Sequence, residues 1–181
     1  MVSRRLAAGA LSLGLLLSLT GCGEGSENGV SPSSKSIASE SDSPETSAKI
    51  TVDGWEPIPL SSTDYVGVIL SLELGEGDGA GSRLIIQRGI PSSQSPETHA
   101  DNLVFDLQNQ GVEVKTYGGR EISGEDAVGL SYRNTTTSRR IHTWYVVKDG
   151  LRYTINLESE EGARELGKDA EKVFDFIVLG E

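Results

Sequence analysis

Two-residue alternation of apolar and polar side chains is clearest in TWYVVKDGLRYTINLE, residues 143–158. Successive side chains of a β-strand point to opposite faces, so this pattern marks a sheet with one face buried. Asp149-Gly150 divides the stretch as the two-residue turn of a hairpin does. If Lys148 lies opposite Leu151, then Val146 meets Tyr153, Trp144 meets Ile155 and His142 meets Leu157. One face then carries Trp144, Val146, Leu151, Tyr153, Ile155 and Leu157, which is a core face. The other pairs Tyr145 with Thr154, Val147 with Arg152 and Thr143 with Asn156. It is too polar for a dry core and too apolar for plain surface.

The same period recurs upstream. In AVGLSYR, residues 127–133, Val128, Leu130 and Tyr132 share one side, and the small Ala127, Gly129 and Ser131 allow close packing on the other. YVGVILSLEL alternates Val66, Val68, Leu70, Leu72 and Leu74, and RLIIQRG predicts the following strand. Between them GEGDGAGS, residues 75–82, lacks the Lys-Ser/Thr ending of a phosphate-binding loop and offers only Glu76 and Asp78 as charged oxygen ligands. It reads as a flexible hairpin connection.

The period becomes helical at Ala100, Leu103, Val104 and Leu107, with Ser95 as cap, Pro96 and Glu97 in the first turn and Gly111 as the stop. A second helix is predicted over about residues 161–175, burying Leu166, Ala170, Val173 and Phe174. FIVL then closes the domain as a short strand or extended tail. Antiparallel strands with helices near the middle and the end make an α+β layered domain.

The N-terminus follows another logic. Arg4 and Arg5 precede an apolar run from Leu6 to Leu19, and Thr20 and Gly21 lead to Cys22, in the order of an export signal. The run is shorter than the roughly 20 residues of a membrane-spanning helix, so no permanent span is expected. Leu19-Thr20-Gly21-Cys22 resembles the lipobox of bacterial lipoproteins, which implies cleavage between Gly21 and Cys22 and diacylglycerol on the Cys22 sulfur. A secreted protein with a stray thiol explains that placement poorly. With 1 cysteine in the chain, no internal disulfide is possible. Two acyl chains, at about 0.8 kcal/mol per buried methylene, hold a protein stably on a membrane where one is marginal.

Residues 1–21 therefore read as a lipoprotein signal peptide, 22–49 as the lipidated cysteine and a Ser-, Glu-, Gly- and Pro-rich tether, and 50–181 as one folded domain. The tether has too few large apolar side chains to offset the entropy of ordering it. At about 5–6 Å times the square root of residue number, it gives the domain a reach of about 30 Å. The expected location is the outer face of a bacterial cell membrane, with the anchor on Cys22 as the membrane contact.

The chain carries a formal net charge of -11, and the negative excess persists in residues 50–181. Nucleic acid is not an expected partner on that balance. Neither His99 nor His142 has a neighbour at metal-ligand spacing, and no cysteine cluster exists, so no metal or other cofactor is expected. A serine nucleophile would need a base and an orienter, and no Gly-x-Ser-x-Gly elbow is present; Ser131 falls within a strand. Glu125-Asp126 follows Ser123-Gly124 and reads as a solvated turn pair. Asn134-Thr135-Thr136 reads as a polar loop. No catalytic residue is expected.

The order of elements adds a resemblance. DGW (Asp53 to Trp55) ends a first strand, a central helix leads to GVEVKTYGGREISGEDAVGLSYR, a hairpin carries YVVKDGLRYTINLES, and an amphipathic helix precedes FDFIVL. This pattern is similar to the PsbP-like fold, and especially to small actinobacterial lipoproteins of the LpqN type. Its sharpest pieces are Gly124 to Val128 and Val146 to Tyr153. The resemblance implies an α/β/α layered domain and a non-enzymatic role in binding or assembly, with an envelope protein as partner. Carriage of an apolar or lipid ligand is the alternative.

Arg139 and Arg140 are two cations on an acidic domain, in sequence near the mixed face that holds Tyr145 and Arg152. Edge-strand solvation and an ion pair to Glu158 account for them simply. The functional expectation is a partner-binding patch of Arg139, Arg140, Tyr145 and Arg152.

Overall fold

In the computed structural model the described residues are 47–180 apart from 64; Gly21, Cys22, the expected signal peptide and nearly all of the expected tether lie outside them. The elements are β1 (Ala48–Ile50), β2 (Trp55–Pro57), β3 (Val68–Leu74), β4 (Arg83–Pro91), α1 (Pro96–Asn109), β5 (Val114–Ile122), β6 (Glu125–Arg133), β7 (Arg140–Lys148), β8 (Leu151–Glu158), α2 (Lys168–Glu171) and β9 (Ile177–Leu179). Two 3-10 turns, Leu60–Ser62 and Lys172–Phe176, join them.

The hairpin of β7 and β8 has the register that alternation requires, with Lys148 opposite Leu151, Val146 opposite Tyr153, Trp144 opposite Ile155 and His142 opposite Leu157. Asp149 and Gly150 sit at φ 52° and 74°, as a two-residue turn of matching twist demands. Around this hairpin a seven-stranded antiparallel sheet forms in the order β2-β3-β4-β8-β7-β6-β5, while β1 pairs with β9 in a separate two-stranded ribbon. Ala48 and Lys49 belong to that ribbon, so ordered pairing begins just ahead of residue 50.

The first face of the sheet carries Leu72, Leu84, Ile86, Trp144, Val146, Tyr153, Ile155 and Leu157, packed under Val173, Phe174, Ile177 and Leu179. Gly129 permits this packing at one point, because a Cβ there would stand 2.6 Å from the Trp144 ring. On the second face Ala100 and Leu107 of α1 pack onto Leu130 and Tyr145. Helical elements thus cover both sides of an antiparallel sheet, which is the α+β, α/β/α arrangement expected.

Three expectations are corrected. The second helix is only Lys168–Glu171, followed by the 3-10 turn Lys172–Phe176. Gly162 takes φ 81° and breaks the helical path, and Gly167 enters the helix with an extended backbone. Ala170, Val173 and Phe174 are nevertheless buried as the stripe requires. The strand expected to end at Trp55 ends at Ile50; Asp53 and Gly54 form a turn, and Trp55 opens β2. Only Ser123 and Gly124 make the β5–β6 turn, and Glu125 and Asp126 already pair with Ile122 and Glu121.

Candidate functional site

The mixed second face owes its character to two different covers. Over β6 and β7 lies α1, whose Ser95 cap accepts a hydrogen bond from the Thr98 amide. Beside the buried Ile85 a polar chain crosses from β7 through β8 to β4: Thr143 Oγ1 donates to Asn156 Oδ1 at 2.7 Å, and Asn156 Nδ2 donates to Gln87 Oε1 at 3.3 Å. Gln87 Nε2 then donates to the Val66 carbonyl at 2.9 Å. The Arg88 amide donates to the Gly67 carbonyl at 2.7 Å, so the backbone at Val66 and Gly67 is pinned twice. Buried polar groups satisfied in this way fix geometry rather than leave a void.

Between the two covers lies a concavity of about 260 Å³ lined by Val66, Gly67, Gln87, Arg88, Ile90, Arg152 and Thr154. Val66 is 88% and Ile90 44% exposed, so its rim is aliphatic. Among the described residues its lining holds two cations and no carboxylate. Three other concavities include acids: Arg83 and Arg139 with Glu158, Lys172 with Asp53, Glu76 and Asp169, and Arg133 and Arg140 with Glu113.

Arg152 is held from two sides. Its guanidinium carbon lies 6.0 Å from the centre of the Tyr145 ring, at the outer reach of a cation–π contact. One terminal nitrogen, Nη1, donates to His99 Nδ1 at 3.1 Å. Its Nε–H is buried with no acceptor among the described residues. Tyr145 is itself buried beneath α1, and burial pushes its phenol up to about 12, so it remains a neutral floor to the site.

His99 also contacts Ser92, with Nε2 2.8 Å from Oγ. A serine and a histidine at this distance form two thirds of a hydrolytic triad, and the third group decides the chemistry. In a triad a carboxylate accepts the Nδ1 proton and leaves Nε2 free to take one from serine. Here a guanidinium, always protonated, donates to Nδ1. Nδ1 must accept, the proton therefore resides on Nε2, and Nε2 donates to Ser92. This polarity is opposite to that of a general base. Burial, and then the Arg152 charge, hold the His99 pKa below its ordinary value, which keeps the imidazole neutral.

The structure brings Tyr145 and Arg152 together and sets Arg139 and Arg140 apart from them. Arg139 donates to the Gly81 and Ser159 carbonyls at 2.9 and 2.6 Å and lies 4.0 Å from Glu158, a largely buried structural tie. Arg140 shares a face with His142 and Trp144, the opposite side of the sheet, and reaches the Arg164 carbonyl at 3.2 Å and Glu165 at 3.9 Å. His99, Ser92, Arg88, Val66 and Ile90 were not expected at the site. His99 had a signal: it stands four residues before Leu103 and eight before Leu107, on the stripe that faces the sheet. Among the described residues no group of three or more His, Cys, Asp or Glu side chains could hold a metal ion.

No protein-family model matches the chain, and no curated protein matches it by sequence. Among solved structures it is similar to LpqN of Mycobacterium tuberculosis, a protein involved in cell envelope biogenesis, at TM-score 0.50 and 18% identity, over 78% of this chain and 88% of that one. The cyanobacterial PsbP (CyanoP) of Synechocystis sp. PCC 6803 superposes at TM-score 0.43 and 15% identity, over 73% and 86%. The LpqN-type fold expected from the sequence is the fold observed.

Proposed function

We propose that this chain is a lipid-anchored lipoprotein of the bacterial cell envelope whose domain binds other envelope proteins and catalyses no reaction. The export signal and the lipobox-like segment ending at Cys22 support the location. The fold shared with LpqN, a protein of envelope biogenesis, supports the setting. The observation that carries the non-catalytic half is the direction of the hydrogen bonds at Arg152, His99 and Ser92. They turn the one serine–histidine contact of the site into a fixed surface element.

A fluorophosphonate probe, which labels base-activated serines, tests that half. Ser92 should remain unlabelled in the full chain, and covalent labelling at Ser92 would mean an enzyme. In-cell photo-crosslinking from several exposed positions of the domain tests the other half and should capture an envelope protein. The alternative of an apolar-ligand carrier requires open apolar space between helix and sheet. That interface is filled by Ala100, Leu107, Leu130 and Tyr145. Native mass spectrometry of the purified protein should accordingly show no retained lipid mass beyond the anchor.

A further inference from the structure

Among the described residues Arg152 makes no ion pair, although acids outnumber bases in the chain, and it is the one such arginine that both a histidine and an aromatic ring hold in place. Four other arginines have a carboxylate: Arg83 meets Glu73 at 2.8 Å, Arg120 meets Asp175 at 3.0 Å, and Arg139 and Arg140 approach Glu158 and Glu165. Arg152 is instead positioned by a neutral histidine and an aromatic face, neither of which neutralises it. With Nε buried in the protein and Nη1 given to His99, the guanidinium keeps its full charge beside the concavity, where an incoming carboxylate would be attracted to it. Arg88 lines the same concavity and adds a second charge of the same sign.

The walls specify what accompanies that carboxylate. Val66 and Ile90 flank the cations as exposed aliphatic side chains, and the backbone beneath Val66 is fixed by Gln87 and Arg88. The concavity, about 260 Å³ and open to one side, has room for a side chain presented by another protein's surface. Resting on the interaction role proposed above, we infer that Arg152, with Arg88, receives the carboxylate of an Asp or Glu side chain in a partner protein. Aliphatic neighbours of that acid lie against Val66 and Ile90. The preformed Arg152–His99–Ser92 chain aims the guanidinium before the partner arrives, so little side-chain entropy is lost on docking.

The test uses the full chain in detergent micelles and two capped peptides, Ala-Val-Glu-Leu-Ala and its Gln counterpart. The Glu peptide should shift the Arg152 Nε–H resonance, and the Gln peptide should bind at least about tenfold more weakly. Arg152→Gln should abolish the difference between the peptides, while Arg152→Lys keeps part of it by retaining the charge without the planar fork. Val66→Ser, at an exposed position, should weaken the Glu peptide without altering thermal unfolding. Equal binding of the two peptides by the wild-type chain overturns the inference. So does exclusive binding of decanoate, which would make the carboxylate a lipid's. Failure of the interaction role has a different signature: the Glu peptide binds as described, yet in-cell crosslinking captures no envelope protein from any face.

Discussion

At the scale of single residues, Gly129 and His142 make the sharpest predictions. A Cβ at Gly129 would sit 2.6 Å from Trp144, whose ring is wedged between Tyr117 and Phe174 and has nowhere to retreat. Gly129→Ala should therefore destabilise the domain by about 1–3 kcal/mol, read as a lower urea midpoint with an altered Trp144 near-ultraviolet signal. His142 is buried under Tyr117 at 5.2 Å, and its pKa falls from 6.5 to about 4, through burial first and then the Arg140 and Lys115 charges. The unfolded histidine gains a proton near pH 6.5, whereas the folded one does not until about pH 4. Stability is thus complete above pH 6.5 and falls as pH drops toward 4, by on the order of 3 kcal/mol from this group. His142→Phe should flatten that part of the acid slope in urea unfolding measured from pH 7 to pH 4.5; an unchanged slope would mean that His142 is charged in the fold. The close packing at Gly129 was legible because strand alternation puts Ala127, Gly129 and Ser131 on one side. The link from His99 to Ser92 and Arg152 was not, since it depends on how α1 settles over a strand 53 residues further along the chain.

At the scale of elements, α2 shows where local reading stops. Its residues have a helical stripe, but a four-residue helix cannot satisfy its own amide groups. The glycine-rich loop does this instead. Asp78 Oδ2 accepts from the Lys168 amide at 3.0 Å, and the Asp78 amide donates to Asp169 Oδ2 at 3.0 Å. Lys172 at 2.6 Å and the Asp78 amide hold the Asp169 carboxyl below its ordinary pKa. A loop read from its glycines as a flexible connection is therefore the N-terminal cap of a helix some ninety residues later. Asp78→Ala should speed hydrogen exchange at the Lys168 and Asp169 amides and cost about 1 kcal/mol, while Glu76→Ala should do neither. The β7–β8 register, by contrast, was fully legible, because Asp149-Gly150 fixes the turn and every later pair follows by counting. Sequence carries such local rules and is silent on a cap supplied from across the fold.

At the scale of the molecule, the charge distribution and the expected anchor bear on one another. A domain with this negative excess is repelled by anionic lipid headgroups and has no electrostatic means of staying at a membrane. Among the described residues no helix is long and apolar enough to cross one. On the lipid anchor proposed at Cys22, removing that sulfur should release the protein from the membrane. A Cys22→Ser chain, exported and trimmed ahead of position 22, should move from the membrane pellet to the soluble fraction. Raising the salt concentration should leave the wild-type chain in the pellet, because acyl burial is insensitive to screening whereas a charge-held protein would wash off. The same variant separates anchoring from recognition: the released domain should still shift the Arg152 Nε–H resonance with the Glu peptide, since the concavity is built within residues 66–154. A Cys22→Ser chain that stays in the pellet at high salt would require a second hydrophobic attachment, and the tether would no longer set the domain's reach.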